Sequence, residues 1–254
     1  MPISFLILLI VLFFFTSVIG VVTGSNSLIT VPVMFQFGID EKVAVATNMF
    51  GLTFMAIGGT IPFVRQGRID YRKVSPLIVL TAISSALGAM LVGLITNQSL
   101  KLIVSVAMIV VVLFTLVQRD TAASAGKVVS KNAYIITYIL TFVLGVYGGL
   151  YSGGYITILT AVYVAIFGMS FTEAVGSTKL INIFSSSIAT IVFMWQGLVD
   201  YKLGIILAVT MFIGAYVGAH YAAKMNDLWL KRIFLGTVFL LAIKTLYDLS
   251  GALA

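Results

Sequence analysis

The chain contains no cysteine, a single histidine and few charges: only 9% of its 254 residues are Asp, Glu, Lys or Arg. The first absence excludes disulfides, thiolate metal sites and any cysteine-based sulfur relay. The scarcity of charge excludes a soluble globular enzyme, whose domain would carry about 25% charged residues. Acidic residues are scarcer than basic ones, eight against fifteen, for a net charge of +7. In so apolar a chain that excess reads as loop charge orienting segments in a bilayer, and no nucleic-acid partner is expected.

What is abundant is hydrophobic surface: 61% of residues are apolar and the mean hydropathy is +1.16. A spanning helix needs about 20 mostly apolar residues. Long runs at 3–22, 43–64, 74–96, 102–117, 133–149, 173–195, 203–223 and 230–249 meet or approach that need. Two shorter runs, 28–37 and 155–167, would cross about half a membrane at 1.5 Å per residue. Each follows a polar or glycine-rich break, Thr23-Gly24-Ser25-Asn26-Ser27 and Ser152-Gly153-Gly154. The first run has no basic residue ahead of it and no small-x-small cleavage site, so it reads as a span rather than a signal peptide. The expectation is an all-α integral membrane protein of eight long and two half-length helices.

Shifting the sequence by 130 positions pairs Phe37-Gly38 with Phe167-Gly168, Ala44-Val45 with Ala174-Val175, Gln66-Gly67 with Gln196-Gly197 and Asp70-Tyr71 with Asp200-Tyr201. Phe54, Thr60-Ile61 and Phe63 match Phe184, Thr190-Ile191 and Phe193 in the same register. Two copies of a five-element unit are therefore expected: a first repeat at 1–118, a cytoplasmic linker at 119–132 and a second repeat at 133–254. An odd element count would invert the copies. The inverted layout collects Arg65, Arg68, Arg72, Lys73, Arg119, Lys127, Lys131, Lys224, Lys231 and Arg232 on one side. Lys42, Lys101, Lys202 and Lys244 lie on the other, and a parallel layout separates the charges less well. Whether each half helix is a re-entrant hairpin or a separate crossing stays open at this stage.

Candidate chemistry is sparse. The eight carboxylates all fall at or near segment ends, and His220 lies in the last turns of its helix. No acid pair, His/Asp cluster or metal-ligand spacing lies inside the membrane, so neither a membrane hydrolase nor a metalloenzyme is expected, and no cofactor. Asp70 and Asp200 precede helices and read as N-caps. Lys179 is the exception, six or seven residues inside its helix. A cation at that depth costs at least about 2.5–3.5 kcal/mol unless paired or hydrated. It could snorkel toward the interface. Against that, Lys179, Asn182, Ser186 and Thr190 form one polar stripe, flanked by Ser177 and Thr178, and such a face looks into protein or water. The two breaks add the N–H groups and partial positive charge of helix N-termini, which suit an anion. The residues expected there are Ser25, Asn26, Ser27, Ser152, Gly153 and Gly154.

The repeated break, the A-V-x-[ST]-[NT] segments 44–48 and 174–178, and the Q-G-x-[IV]-D-Y segments 66–71 and 196–201 resemble the TauE/SafE sulfite-exporter (TSUP) family of membrane permeases. Residues 177–186 are similar to the T-K-x-x-N-x-x-S segment of one bacterial branch. The resemblance places the family's G-G-G-x-x-x-x-P element on residues 25–32, with Ser, Asn and Ser for the glycines. It implies a multi-pass permease of the bacterial plasma (inner) membrane for small anions, sulfite, sulfonates or related organosulfur compounds. The expected site then joins Lys179, Asn182, Ser186, Ser177 and Thr178 to Thr47 and Asn48 of the first copy and to both breaks. Met49 occupies the place of Lys179 in that copy. A coupling ion, H+ or Na+, is compatible with the sequence. A passive anion channel and a membrane subunit of a larger complex are the competing expectations.

Overall fold

A computed structural model describes residues 3–24, 26–67, 69–117, 130–226, 228–229 and 232. Among them are nine α-helices and no strand. They are α1 (Ile3–Thr23), α2 (Ser27–Gln36), α3 (Glu41–Arg65), α4 (Tyr71–Leu94) and α5 (Asn97–Val117), then α6 (Lys131–Leu150), α7 (Tyr155–Ala165), α8 (Phe171–Trp195) and α9 (Tyr201–Ala222). Six of these, α1, α3, α4, α6, α8 and α9, are long and apolar enough to cross a membrane. The run expected at 230–249 and most of the expected linker lie outside the described residues.

Capping chemistry, rather than hydropathy alone, sets the helix starts. Asp70 accepts hydrogen bonds from the N–H groups of Arg72 and Lys73, and Asp200 from that of Leu203. Asp40 and Ser130 cap α3 and α6 in the same way. Ser170 and Glu173 form a reciprocal capping box, which starts α8 two residues ahead of its apolar run. Helix α5 likewise begins five residues before its apolar run, where the Thr96 hydroxyl accepts from the Ser99 N–H. Positive-φ glycines turn the chain at Gly24, Gly38, Gly67, Gly154, Gly168 and Gly197, three pairs each 130 residues apart.

Helix directions follow from which residues touch. Gly214 and Gly218 of α9 abut Phe14 and Val18 of α1, so those helices run parallel. Thr81 and Ser85 of α4 abut Gly145 and Gly149 of α6, so this pair is also parallel. Helix α3 runs parallel to α9, with Thr47 near Asp200 and Gly59 near Ala215. Helix α8 runs parallel to α4, with Glu173 near Lys73 and Gln196 near Ala89. Helices α3 and α8 cross in opposite directions, because Thr53 meets Thr190 while Phe63 meets Gly176.

The two short helices turn back. The Phe5 ring near the start of α1 stacks on Phe37 just past the end of α2, at 4.9 Å between centroids. Tyr134 near the start of α6 meets Phe167 just past α7 at 5.1 Å. Each long–short pair is therefore a re-entrant hairpin with its break inside the protein. Leu52, Met55 and Ala56, which face those breaks, occupy the middle of the 25-residue α3. Irregular backbone at such depth is stable only where protein or water covers it, and here each tip covers the other.

Candidate functional site

The two hairpin tips are tied together. Tyr151 Oη donates to the Ser27 carbonyl at 2.9 Å, Thr157 Oγ1 to the Thr23 carbonyl at 2.6 Å, and the Ser27 and Ser152 hydroxyls lie 3.1 Å apart. Gly24 packs against Ile156, where a Cβ would stand 2.6 Å from its side chain. Tyr151 is fully buried. A Tyr151→Phe protein therefore leaves the Ser27 carbonyl short of a donor and is expected to lose about 1–3 kcal/mol of stability. Thermal unfolding in detergent measures this, and an unchanged midpoint would remove the tie.

Between the tips, α3 and α8 lies a cavity of about 10 Å³, room for one water. Its polar lining is Lys179, Asn182, Asn26, Ser27 and Ser152; Leu52, Met55, Ala56 and Ile156 supply the apolar wall, with Gly20 and Gly24 beneath. Lys179 is 3% exposed, so its side chain does not snorkel out. Its ammonium donates to the Gly20 carbonyl at 3.4 Å, and no carboxylate among the described residues lies within 4.0 Å. An ammonium has three donors, so two remain without an acceptor among the described residues. The Asn182 amide, 6% exposed, makes no hydrogen bond among the described residues.

The first break is better satisfied. Asn26 Nδ2 donates to Ser17 Oγ at 3.0 Å and to Thr16 Oγ1 at 3.3 Å. Asn48 Nδ2 donates to Ser27 Oγ at 2.9 Å, and its Oδ1 accepts from Thr30 at 2.8 Å. Asn48 thus positions Ser27 from behind instead of lining the cavity. Thr178 bonds Thr160 at 3.1 Å, the positional equivalents of Asn48 and Thr30.

Several expected residues lie elsewhere. Ser186 turns its hydroxyl back onto the Asn182 carbonyl of its own helix. Thr190 bonds Thr53, and Thr47 accepts from the Asp200 N–H at 3.0 Å, near the start of α9. Ser177 is fully buried with no partner for its hydroxyl among the described residues. The Gly153 carbonyl accepts from Tyr147, and Gly154 at φ +76 starts α7 against Val111, both outside the cavity wall. Ser25 lies outside the described residues. Sequence reasoning missed Tyr151, Thr157 and Gly20, whose roles depend on the two tips meeting. The only local signal was their position flanking the breaks.

Four apolar helices, α3, α4, α8 and α9, packed with two re-entrant hairpins whose tips close on a buried polar cavity define a multi-pass membrane protein. The chain belongs to the sulfite exporter TauE/SafE family, whose match runs over residues 9–245, and it is a membrane transporter. It is similar to the probable membrane transporter protein ORF9 of Sinorhizobium sp, 26% identical over 92% of this chain and 90% of the relative. It is 24% identical to the probable membrane transporter protein YfcA of Escherichia coli K12, over 96% and 92% of the two chains. A probable membrane transporter protein of Haemophilus influenzae is 22% identical over 92% of each. No solved structure matches the chain.

Proposed function

We propose that this protein is a secondary transporter carrying a small anion across a bacterial inner membrane, by alternating access between two inverted copies of one unit. The substrate class is sulfite, a sulfonate or a related organosulfur anion, in keeping with the sulfite exporter family. One observation carries the reading: among the described residues, a buried ammonium without a carboxylate lies beside a buried amide without a partner, both facing the point where two chain breaks meet. A bound anion would neutralise Lys179 and accept from Asn182, while Ser27 and Ser152 lie within the same wall. The first turns of α2 and α7 add their dipoles.

The copies correspond through the glycine pairs at 24/154, 38/168 and 67/197, and through the opposed directions of α3 and α8. The cavity admits about one water, so an anion needs the copies to move apart, which favours a carrier over an open pore. Coupling to H+ or Na+ is part of the proposal.

The experiment is a thermal-shift screen of purified protein against sulfite, sulfate, thiosulfate, sulfonates and carboxylates, followed by flux into liposomes. One anion class is expected to raise the midpoint saturably and to be carried. A chain stabilised by none of them would overturn the reading. Because the Ser186 hydroxyl is satisfied by its own helix, Ser186→Ala is expected to leave the anion-induced shift unchanged.

A further inference from the structure

The two ends of the molecule are built from equivalent residues but bonded differently. At the end carrying the α8–α9 turn, the Asp200 N–H donates to Thr47 Oγ1 at 3.0 Å, fastening the start of α9 to α3. Gln196 Nε2 on the same turn donates to the Ala89 carbonyl of α4 at 3.3 Å. At the opposite end, the equivalents 130 positions away are all present and none of these bonds is made. Ser177, the counterpart of Thr47, is fully buried with no partner for its hydroxyl among the described residues. Gln66, the counterpart of Gln196, is exposed, and its side chain makes no hydrogen bond among the described residues. Between Gly67, Ile69 and Asp70 on one side and Ser170 and Glu173 on the other lies a cavity of about 290 Å³. The Lys73–Glu173 ion pair, at 3.4 Å with side chains 40% and 23% exposed, spans that gap. Such exposed pairs contribute little.

We infer that Thr47–Asp200 and Ser177–Asp70 are a pair of latches made one at a time, the first closing the α8–α9 end and the second the α3–α4 end. The structure holds the first latch made and the second undone. In the exchanged conformation Ser177 Oγ accepts the Asp70 N–H, Gln66 moves to the α9 carbonyls of Ala219 and His220, and the cavity beside Asp70 closes. The Thr47–Asp200 bond then breaks and the opposite end opens. A buried hydroxyl without a partner carries a desolvation cost, and an alternative state that satisfies it explains why the position is polar. The inference rests on the reading of two inverted copies that exchange conformations. It does not require that the cargo be an anion.

The test uses nitroxide pairs, attached to cysteines introduced into this cysteine-free chain, in lipid nanodiscs without substrate. One pair at Arg72 and Phe171 reports the α3–α4 end, and a second at Lys202 and Lys42 reports the α8–α9 end. Two populations are expected in each pair, and they trade places. Thr47→Val is expected to shift the population ratio about fivefold toward a closed 72–171 distance and an open 202–42 distance, the worth of one hydrogen bond. Ser177→Ala is expected to shift it by about the same factor the other way, and the double variant to return it near the starting ratio. Both variants moving the ratio in one direction, or neither moving it, overturns the latch. If Thr47→Val fails to insert, Ser177→Ala carries the test alone, since its hydroxyl makes no bond in the described conformation. The distances are read without anion, so failure of the latch leaves the Lys179 reading standing, and failure of anion binding leaves the latch standing.

Discussion

Replacing Lys179 with methionine is expected to abolish anion-dependent stabilisation while leaving the substrate-free protein at least as stable as the parent. A ligand at about 100 times its dissociation constant adds about 2.7 kcal/mol to an unfolding free energy. The variant loses that increment, because an anion entering the cavity would meet no positive charge. The unliganded protein behaves differently. An unpaired cation inside a bilayer costs at least about 2.5–3.5 kcal/mol, and the thioether that replaces it carries no such cost. Met49, at the equivalent position of α3, is 2% exposed, so the fold already packs methionine at that place.

The sign of the substrate-free effect separates this role from a purely structural one. Lys179 donates to the Gly20 carbonyl in the last turn of α1, and a cation there favours a helix C-terminus. Were that its whole function, Lys179→Met would lower the stability of the empty protein and leave any anion shift intact. Thermal unfolding with and without the anion that emerges from the screen reads both quantities in one experiment. A variant that is destabilised yet still responds to anion would move the binding site away from Lys179.

The second large effect is steric. A Cβ on Gly88 would stand 1.9 Å from the Val146 carbonyl oxygen and 2.8 Å from the Leu150 nitrogen. Both are backbone atoms of α6, so no side chain can rotate aside, and α4 must separate from α6. Small residues at membrane helix contacts exist to permit this approach, and overpacking a close contact costs about 1–3 kcal/mol or more. Gly88→Ala is therefore expected to destabilise the protein by at least that amount, and Gly218→Ala, 2.1 Å from the Val18 carbonyl, to do the same. Gly204→Ala provides the comparison. Its nearest neighbour is the edge of the Phe50 ring at 3.2 Å, which gives way with a small change of rotamer. Denaturant unfolding in detergent ranks the three, and a Gly88→Ala protein as stable as Gly204→Ala would refute the packing argument.

Much of the fold was legible because its signals are local. Helix starts were read at Asp70 and Asp200, each capping within three residues of itself, whereas the caps Asp40 and Ser170 start α3 and α8 two residues ahead of their apolar runs. Long apolar runs identify spans by length, and the charge deficit identifies the solvent they face. The depth of Lys179 could be counted from its helix boundary, and its burial with Asn182 followed from the shared stripe. The stripe was less informative for Ser186 and Thr190, which lie on the same helix face. A serine can bond its own preceding carbonyl and a threonine a neighbouring helix, and helical periodicity does not distinguish those choices from a hydroxyl facing a cavity.

The amino-acid order alone determined that the chain lives in a membrane, that Lys179 lies deep in its helix, and where the chain breaks. Those properties depend on transfer free energies and on hydrogen bonds that close within a few residues. Only the tertiary structure decided that both breaks turn back and meet, that Tyr151 and Thr157 tie them, and that Thr47 belongs to the α9 start. Those contacts join residues 124 to 153 positions apart. Their formation depends on how whole helices pack, which no short stretch of sequence encodes.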